Sequence, residues 1–208
     1  MEELIPKSAE IPNSDFVIIG GTGDLAYRKI FPALFWRYLA GQINNKFRIF
    51  SIARSLIEKE TFSKKLRTFC KDSISSEIFS EEKWVKFLGI IELITFDILS
   101  KDNGNSLKEK INEITSSSRP LIFYLAISPN LFGEATKVLA KNKLNQHQSR
   151  LVVEKPLGYN ILSAKKINSL LLEVFEEKQI YRIDHYFSIF KGYYFISFIV
   201  KGPDWEIF

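Results

Sequence analysis

Cysteine is nearly absent from this 208-residue sequence, where Cys70 stands alone. One thiol excludes an internal disulfide and any multi-cysteine metal site, and it fits a reducing compartment. Histidine is scarce too, with only His147 and His185, and no metal-binding cluster is expected. His147 falls in the polar stretch Asn145-Gln146-His147-Gln148 and is read as an exposed loop residue. No apolar run approaches the roughly 20 residues of a membrane span, and the nearest, Tyr193 to Val200, is far too short. Met1 to Ser14 is charged and carries Pro6 and Pro12, which is not the pattern of a secretion signal. Internal repeats and low-complexity tracts are missing. The expectation is a soluble, cytoplasmic chain with no membrane partner.

Charge is only mildly one-sided, with 29 basic against 24 acidic residues and a net charge of +5. The basic residues are spread along the chain instead of clustered. That argues against a nucleic-acid partner and leaves a mild preference for anions, such as a phosphate-bearing ligand. Hydrophobic content of 46% and charged content of 25% are ordinary for a globular protein. The length allows one sizeable domain, or one domain and part of another.

The stretch that organises the chain is Phe16-Val17-Ile18-Ile19-Gly20-Gly21-Thr22-Gly23-Asp24-Leu25-Ala26. Its four apolar residues read as a strand buried on both faces. The glycines break that strand, and Leu25, Ile30, Leu34 and Tyr38 then recur at helical spacing. Gly21-x-Gly23-x-x-Ala26 matches the relaxed dinucleotide fingerprint in its required strand–turn–helix setting. The physical reason is close approach: a pyrophosphate must lie against bare backbone, and a helix N-terminus presents free N–H groups and a positive dipole end. The competing reading is a tight turn with no ligand.

Downstream, β and α patterns alternate. The first helix is expected over about 24–40, with a kink or delayed start at Pro32 and a stop at Gly41. A second strand, Phe47 to Ala53, ends in Ala53-Arg54-Ser55. An NAD-binding fold places an acidic residue there for the ribose hydroxyls, whereas a guanidinium suits a 2′-phosphate. The sequence therefore favours NADP, although Arg54 leaves NAD open. Residues 58–87 read as amphipathic helix, 89–97 as the third strand and 106–116 as another helix. A fourth strand follows at Leu121 to Ile127, a helix at about 131–142, a fifth strand at Arg150 to Glu154 and a helix at about 160–177. This alternation predicts an α/β fold, a Rossmann-like doubly wound parallel sheet with helices on both faces. Gly23, Arg54, Tyr124 and Lys155 all fall at or just past strand ends, where ligands of such sheets collect. Lys155 precedes Pro156, which leaves it extended and permits a cis bond. Asp184-His185-Tyr186 supplies three polar side chains after a β-like stretch.

Together these pieces resemble the glucose-6-phosphate dehydrogenase family. The matching motifs are Gly20 to Ala26, Ala53-Arg54-Ser55, Tyr124-Leu125-Ala126, Glu154-Lys155-Pro156-Leu157-Gly158 and Tyr181-Arg182-Ile183-Asp184-His185-Tyr186. The resemblance implies oxidation of glucose 6-phosphate at its anomeric carbon, with hydride passing to NADP. It implies that Gly20, Gly21, Thr22, Gly23, Asp24 and Leu25 cradle the cofactor, Arg54 holds its 2′-phosphate and Tyr124 lies beside it. Lys155 would touch both cofactor and substrate, His185 and Tyr186 would bind the sugar phosphate, and Asp184 would orient the catalytic histidine. The resemblance also implies homo-oligomers.

Residues 14–186 are therefore expected to form the NADP-binding domain and 187–208 a divergent apolar tail. In that tail Ile189 stands where the family carries a substrate-binding lysine. The general base, the remaining sugar contacts and most of the subunit interface are expected to be missing, as in a truncated product. Binding of glucose 6-phosphate is then weak or absent. The alternatives are a non-catalytic NADP-binding module and a decayed gene product.

Overall fold

The computed structural model describes residues 13–99, 107, 109, 119–146 and 148–183. Strand β1 spans Asp15–Ile19 and is buried along its whole length. Its side chains divide by parity: Phe16 and Ile18 enter one apolar cluster, Val17 and Ile19 the other. A strand sandwiched between two helical layers must be apolar on both faces, and this one is. The other strands are β2 (Arg48–Ala53), β3 (Ile91–Thr95), β4 (Leu121–Leu125), β5 (Arg150–Glu154) and β6 (Ile180–Ile183). They pair in the order β3-β2-β1-β4-β5-β6, all parallel. Sequence order reverses between β1 and β4, the point at whose carboxyl edge ligands of such sheets bind. The expected doubly wound parallel sheet is the observed one.

Three helices cover one face: α1 (Phe31–Leu39), α2 (Lys59–Ser73) and α3 (Glu81–Leu88). Phe35 of α1 anchors this layer, with ring centroids 5.2 Å from Trp84 and 5.0 Å from Phe87 of α3. Burying such rings stabilises by about 1.5–3 kcal/mol each. The opposite face carries α4 (Phe132–Lys141) and α5 (Ile161–Leu172). Asn160 and Ser163 close a reciprocal capping box that starts α5.

Several expected boundaries shift, each for a local reason. The helix expected over 24–40 begins with a π turn at Ala26–Ile30 before α1 proper. Pro32 crowds the carbonyl four residues back, and the widened turn instead bonds the Phe31 N–H to the Ala26 carbonyl. Gly41, at φ 72°, ends the helix as expected. The single helix expected over 58–87 is two, because Ser80 caps α3 by accepting from the Lys83 N–H. The third strand is shorter than 89–97 and half exposed, as befits an edge. The helix expected at 160–177 stops at Leu172, and a 3-10 turn at Glu177–Gln179 follows. Of the helix expected at 106–116, only Leu107 and Glu109 are described residues, and His147 and the tail 187–208 lie outside them.

The amino edge of the sheet is clasped by charge. Asp15, fully buried, accepts from Arg48 at 2.8 and 3.0 Å, and Arg119 lies 3.6 Å away. The register places Asp15 opposite both Arg48 and Leu121. One carboxylate thus joins the starts of three strands.

Candidate functional site

The glycine turn leaves the carboxyl end of β1 and folds over β2. The N–H groups of Gly20 and Gly21 both donate to the Ile52 carbonyl, at 3.0 and 2.9 Å, and Gly23 donates back to Gly20 at 2.9 Å. Gly20 sits at φ 89°, where a side chain is strained, and an added Cβ would lie 2.5 Å from the Ala126 carbonyl oxygen. A Cβ on Gly21 would lie 2.2 Å from Ser51 Oγ. Both glycines are therefore dictated by how tightly the turn packs on β2 and on the end of β4. The N–H groups of Thr22, Asp24 and Leu25 make no backbone bond among the described residues. They open the helix that runs on through the π turn into α1, and they form a ready anion cradle. Bare backbone, unspent donors and a helix N-terminus fit a dinucleotide pyrophosphate.

Arg54 follows β2 directly and is exposed beside this turn. Lys155 follows β5, is exposed, and precedes a cis bond to Pro156. Its N–H donates to the Ile183 carbonyl at 2.9 Å, which fixes the end of β5 to β6. The carboxyl ends of β1, β2, β4 and β5 thus bring the glycine turn, Arg54, Ala126 and Lys155 to one edge of the sheet.

The side chains of two further expected contributors have partners within the protein. The Asp24 carboxylate is exposed and pairs with Arg28 at 2.6 Å, so what Asp24 can offer an anion is its N–H. The Tyr124 side chain is buried at 4% exposure, with its ring 6.1 Å from that of Phe16. Its hydroxyl donates to Glu154. Burial, followed by the Glu154 charge and hydrogen bond, raises the Tyr124 phenol far above its ordinary range. Asp184, His185 and Tyr186 lie outside the described residues.

The structure also adds groups to which the motifs assign no role. Ser51 backs Gly21, and its only sequence signal is a hydroxyl between the apolar neighbours Phe50 and Ile52. Arg182 on β6 donates to Asn168 of α5 at 2.9 and 2.6 Å and to Glu177 at 2.6 and 2.9 Å. The Arg182 hydrogen bonds hold the Glu177 carboxyl below its usual range. This clamp fixes the strand that leads into Asp184.

Over residues 17–189 the sequence matches the model of the glucose-6-phosphate dehydrogenase NAD binding domain. The chain belongs to the glucose-6-phosphate dehydrogenase family. It is 35% identical over 172 residues to glucose-6-phosphate 1-dehydrogenase of Rhizobium meliloti, covering 83% of this chain and 35% of that one. With the enzyme of Helicobacter pylori it shares 37% identity over 172 residues, again 83% of this chain and 38% of the relative. A solved structure of glucose-6-phosphate dehydrogenase with its substrate glucose 6-phosphate superposes with a TM-score of 0.76 at 30% identity. That match covers 87% of this chain and 38% of the other. The crystal structure from Mycobacterium avium gives 0.74 at 27%, covering 85% and 37%. The chain spans little more than a third of the length of these relatives. The region matched is the nicotinamide-dinucleotide-binding domain of the family. No helix among the described residues is long and apolar enough to cross a membrane.

Proposed function

We propose that this chain binds NADP as the cofactor half of a glucose 6-phosphate dehydrogenase. The observation that carries the reading is one shared edge: a glycine turn with unspent N–H groups on β1 and a guanidinium one residue past the neighbouring β2. NADP, when bound, accepts the hydride that leaves C1 of the sugar. The N–H groups of Thr22, Asp24 and Leu25 receive the pyrophosphate, and Arg54 receives the 2′-phosphate as a planar fork. With the adenosine half over β2, the other half runs across β4 toward β5 and Lys155. There the ammonium orients both sugar and cofactor. His185 and Tyr186 bind the sugar phosphate, and Asp184 orients the base that takes the anomeric hydroxyl proton as the lactone forms.

Residues 14–186 are the NADP-binding unit in this reading, and 187–208 a divergent tail. We assign this chain to the cytoplasm.

Calorimetry and thermal melts test the binding itself. NADP at about 100 times its Kd adds about 2.7 kcal/mol of stability. Arg54→Ala is expected to weaken NADP about 10–100-fold, the worth of a charge-assisted hydrogen bond, and to leave NAD within about twofold. Equal effects on both nucleotides remove Arg54 from the pocket, and no response to either nucleotide by the intact chain refutes the function.

A further inference from the structure

The backbone ladder between β4 and β5 is short. Its partnered positions are Ile122 with Arg150, Phe123 with Leu151 and Tyr124 with Val152. Beyond them β4 continues to Leu125 and β5 to Glu154. The ladder between β1 and β4, by contrast, runs to Ile19 opposite Leu125. On the side where Lys155 leaves β5, the Tyr124 hydroxyl donates to the Glu154 carboxylate, one residue before Lys155.

We propose that Tyr124 and Glu154 are a positioning pair: their hydrogen bond ties the end of β5 to β4 and holds the Lys155 turn for the nicotinamide-side half of the dinucleotide. The inference rests on the NADP reading above and gives both residues a role distinct from contact with the nucleotide. The Tyr124 ring is packed in the core, so its hydroxyl is delivered to one place by a rigid body. The phenol stays protonated across any working pH and remains a donor. On the other side the Lys155 N–H is held by the Ile183 carbonyl, so the turn is pinned from both neighbouring strands. Loss of the Tyr124 bond frees one pin and leaves the core clusters intact.

The test uses the full chain and two probes. NADP spans from the glycine turn to Lys155, whereas adenosine 2′,5′-bisphosphate carries the 2′-phosphate end and stops short of Lys155. Tyr124→Phe and Glu154→Ala are each expected to weaken NADP about tenfold, the scale of one hydrogen bond to a charged group. The double variant is expected to lose no more than either single one, because both remove the same bond. Glu154→Gln retains an acceptor for the hydroxyl and is expected to stay within about threefold of the parent. Affinity for the bisphosphate is expected to be unchanged in all four variants, which a general loss of structure would not allow. The proposal is overturned if Tyr124→Phe binds NADP like the parent, if the single losses add, or if the bisphosphate weakens in parallel. Failure of the parent chain to bind either probe refutes the NADP reading instead.

Discussion

Removing the hydroxyl of Tyr27 is expected to make the protein more stable. Tyr27 is fully buried in the π turn behind the glycine fingerprint, and its hydroxyl has no hydrogen-bond partner among the described residues. The ring is well used: centroids lie 5.5 Å from Phe62 and 5.9 Å from Phe69, and the Lys65 ammonium stands 4.3 Å above it. Tyr27→Phe keeps every ring contact and relieves an unsatisfied buried hydroxyl, whose desolvation costs about 1–3 kcal/mol. Against this stand a void of one oxygen atom and a slightly weaker attraction for the lysine, each a fraction of a kcal/mol. The balance is a gain of about 1 kcal/mol, or about 2–4 °C in Tm for a chain of this size.

The sign can also be tested with pH. Burial pushes the Tyr27 phenol up to about 12, against an ordinary value near 10. Above pH 10 the unfolded phenol releases its proton and the folded one does not, so the unfolded state gains and the parent loses stability as pH rises toward 12. The advantage of the phenylalanine variant should therefore widen over that window and stay constant below about pH 9. Denaturant melts of both proteins at pH 7, 9 and 10.5 measure it. A variant less stable than the parent by 1 kcal/mol or more, in the sense of an order-of-magnitude cost of a lost bond, shows that the hydroxyl is satisfied and refutes the reasoning.

Asp15→Ala removes the carboxylate that joins three strand starts and is expected to cost about 2–4 kcal/mol in denaturant melts, less than a fully enclosed pair because Arg48 keeps some access to water. NADP affinity should not change, since the substitution lies at the opposite edge from the glycine turn. Gly21→Ala forces a methyl into Ser51 and is expected to weaken NADP binding, while Gly21→Ala combined with Ser51→Gly restores part of it by calorimetry. Cys70 is buried on α2, and desolvation raises its thiol well above the ordinary range. Its reaction with an aromatic disulfide reagent should be absent in the folded protein and appear at the rate of unfolding; rapid labelling in native buffer contradicts its placement.

The elements that sequence reveals and those that it hides differ in one respect, namely how far apart along the chain the deciding atoms lie. Each central strand is legible because a parallel strand covered on both faces must be apolar throughout, as Phe16 to Ile19 and Leu121 to Leu125 are. The glycine turn is legible because close packing leaves no other residue type. Arg54 and Lys155 are legible as residues just past strand ends. Tyr124 with Glu154, and Asp15 with Arg48, meet only through strand register across about thirty residues, and no local pattern announces them. The break between α2 and α3 has a local signal, Ser80 ahead of Glu81 and Glu82, but the surrounding apolar spacing outweighs it. The π turn follows from Pro32, whose effect a propensity reading can place but not shape.

The glycine turn rests on Ile52 below and on Ala126 beside it, and the latter emerges about a hundred positions after Gly20. On the ribosome, then, the first three strands and their helices leave the exit tunnel before the wall of the nucleotide groove exists. A nascent chain halted before β4 cannot grip the dinucleotide, whereas one halted after Ala126 has the turn seated between both neighbours. Ligand rescue of folding during synthesis should accordingly begin abruptly at that length instead of growing with each residue added.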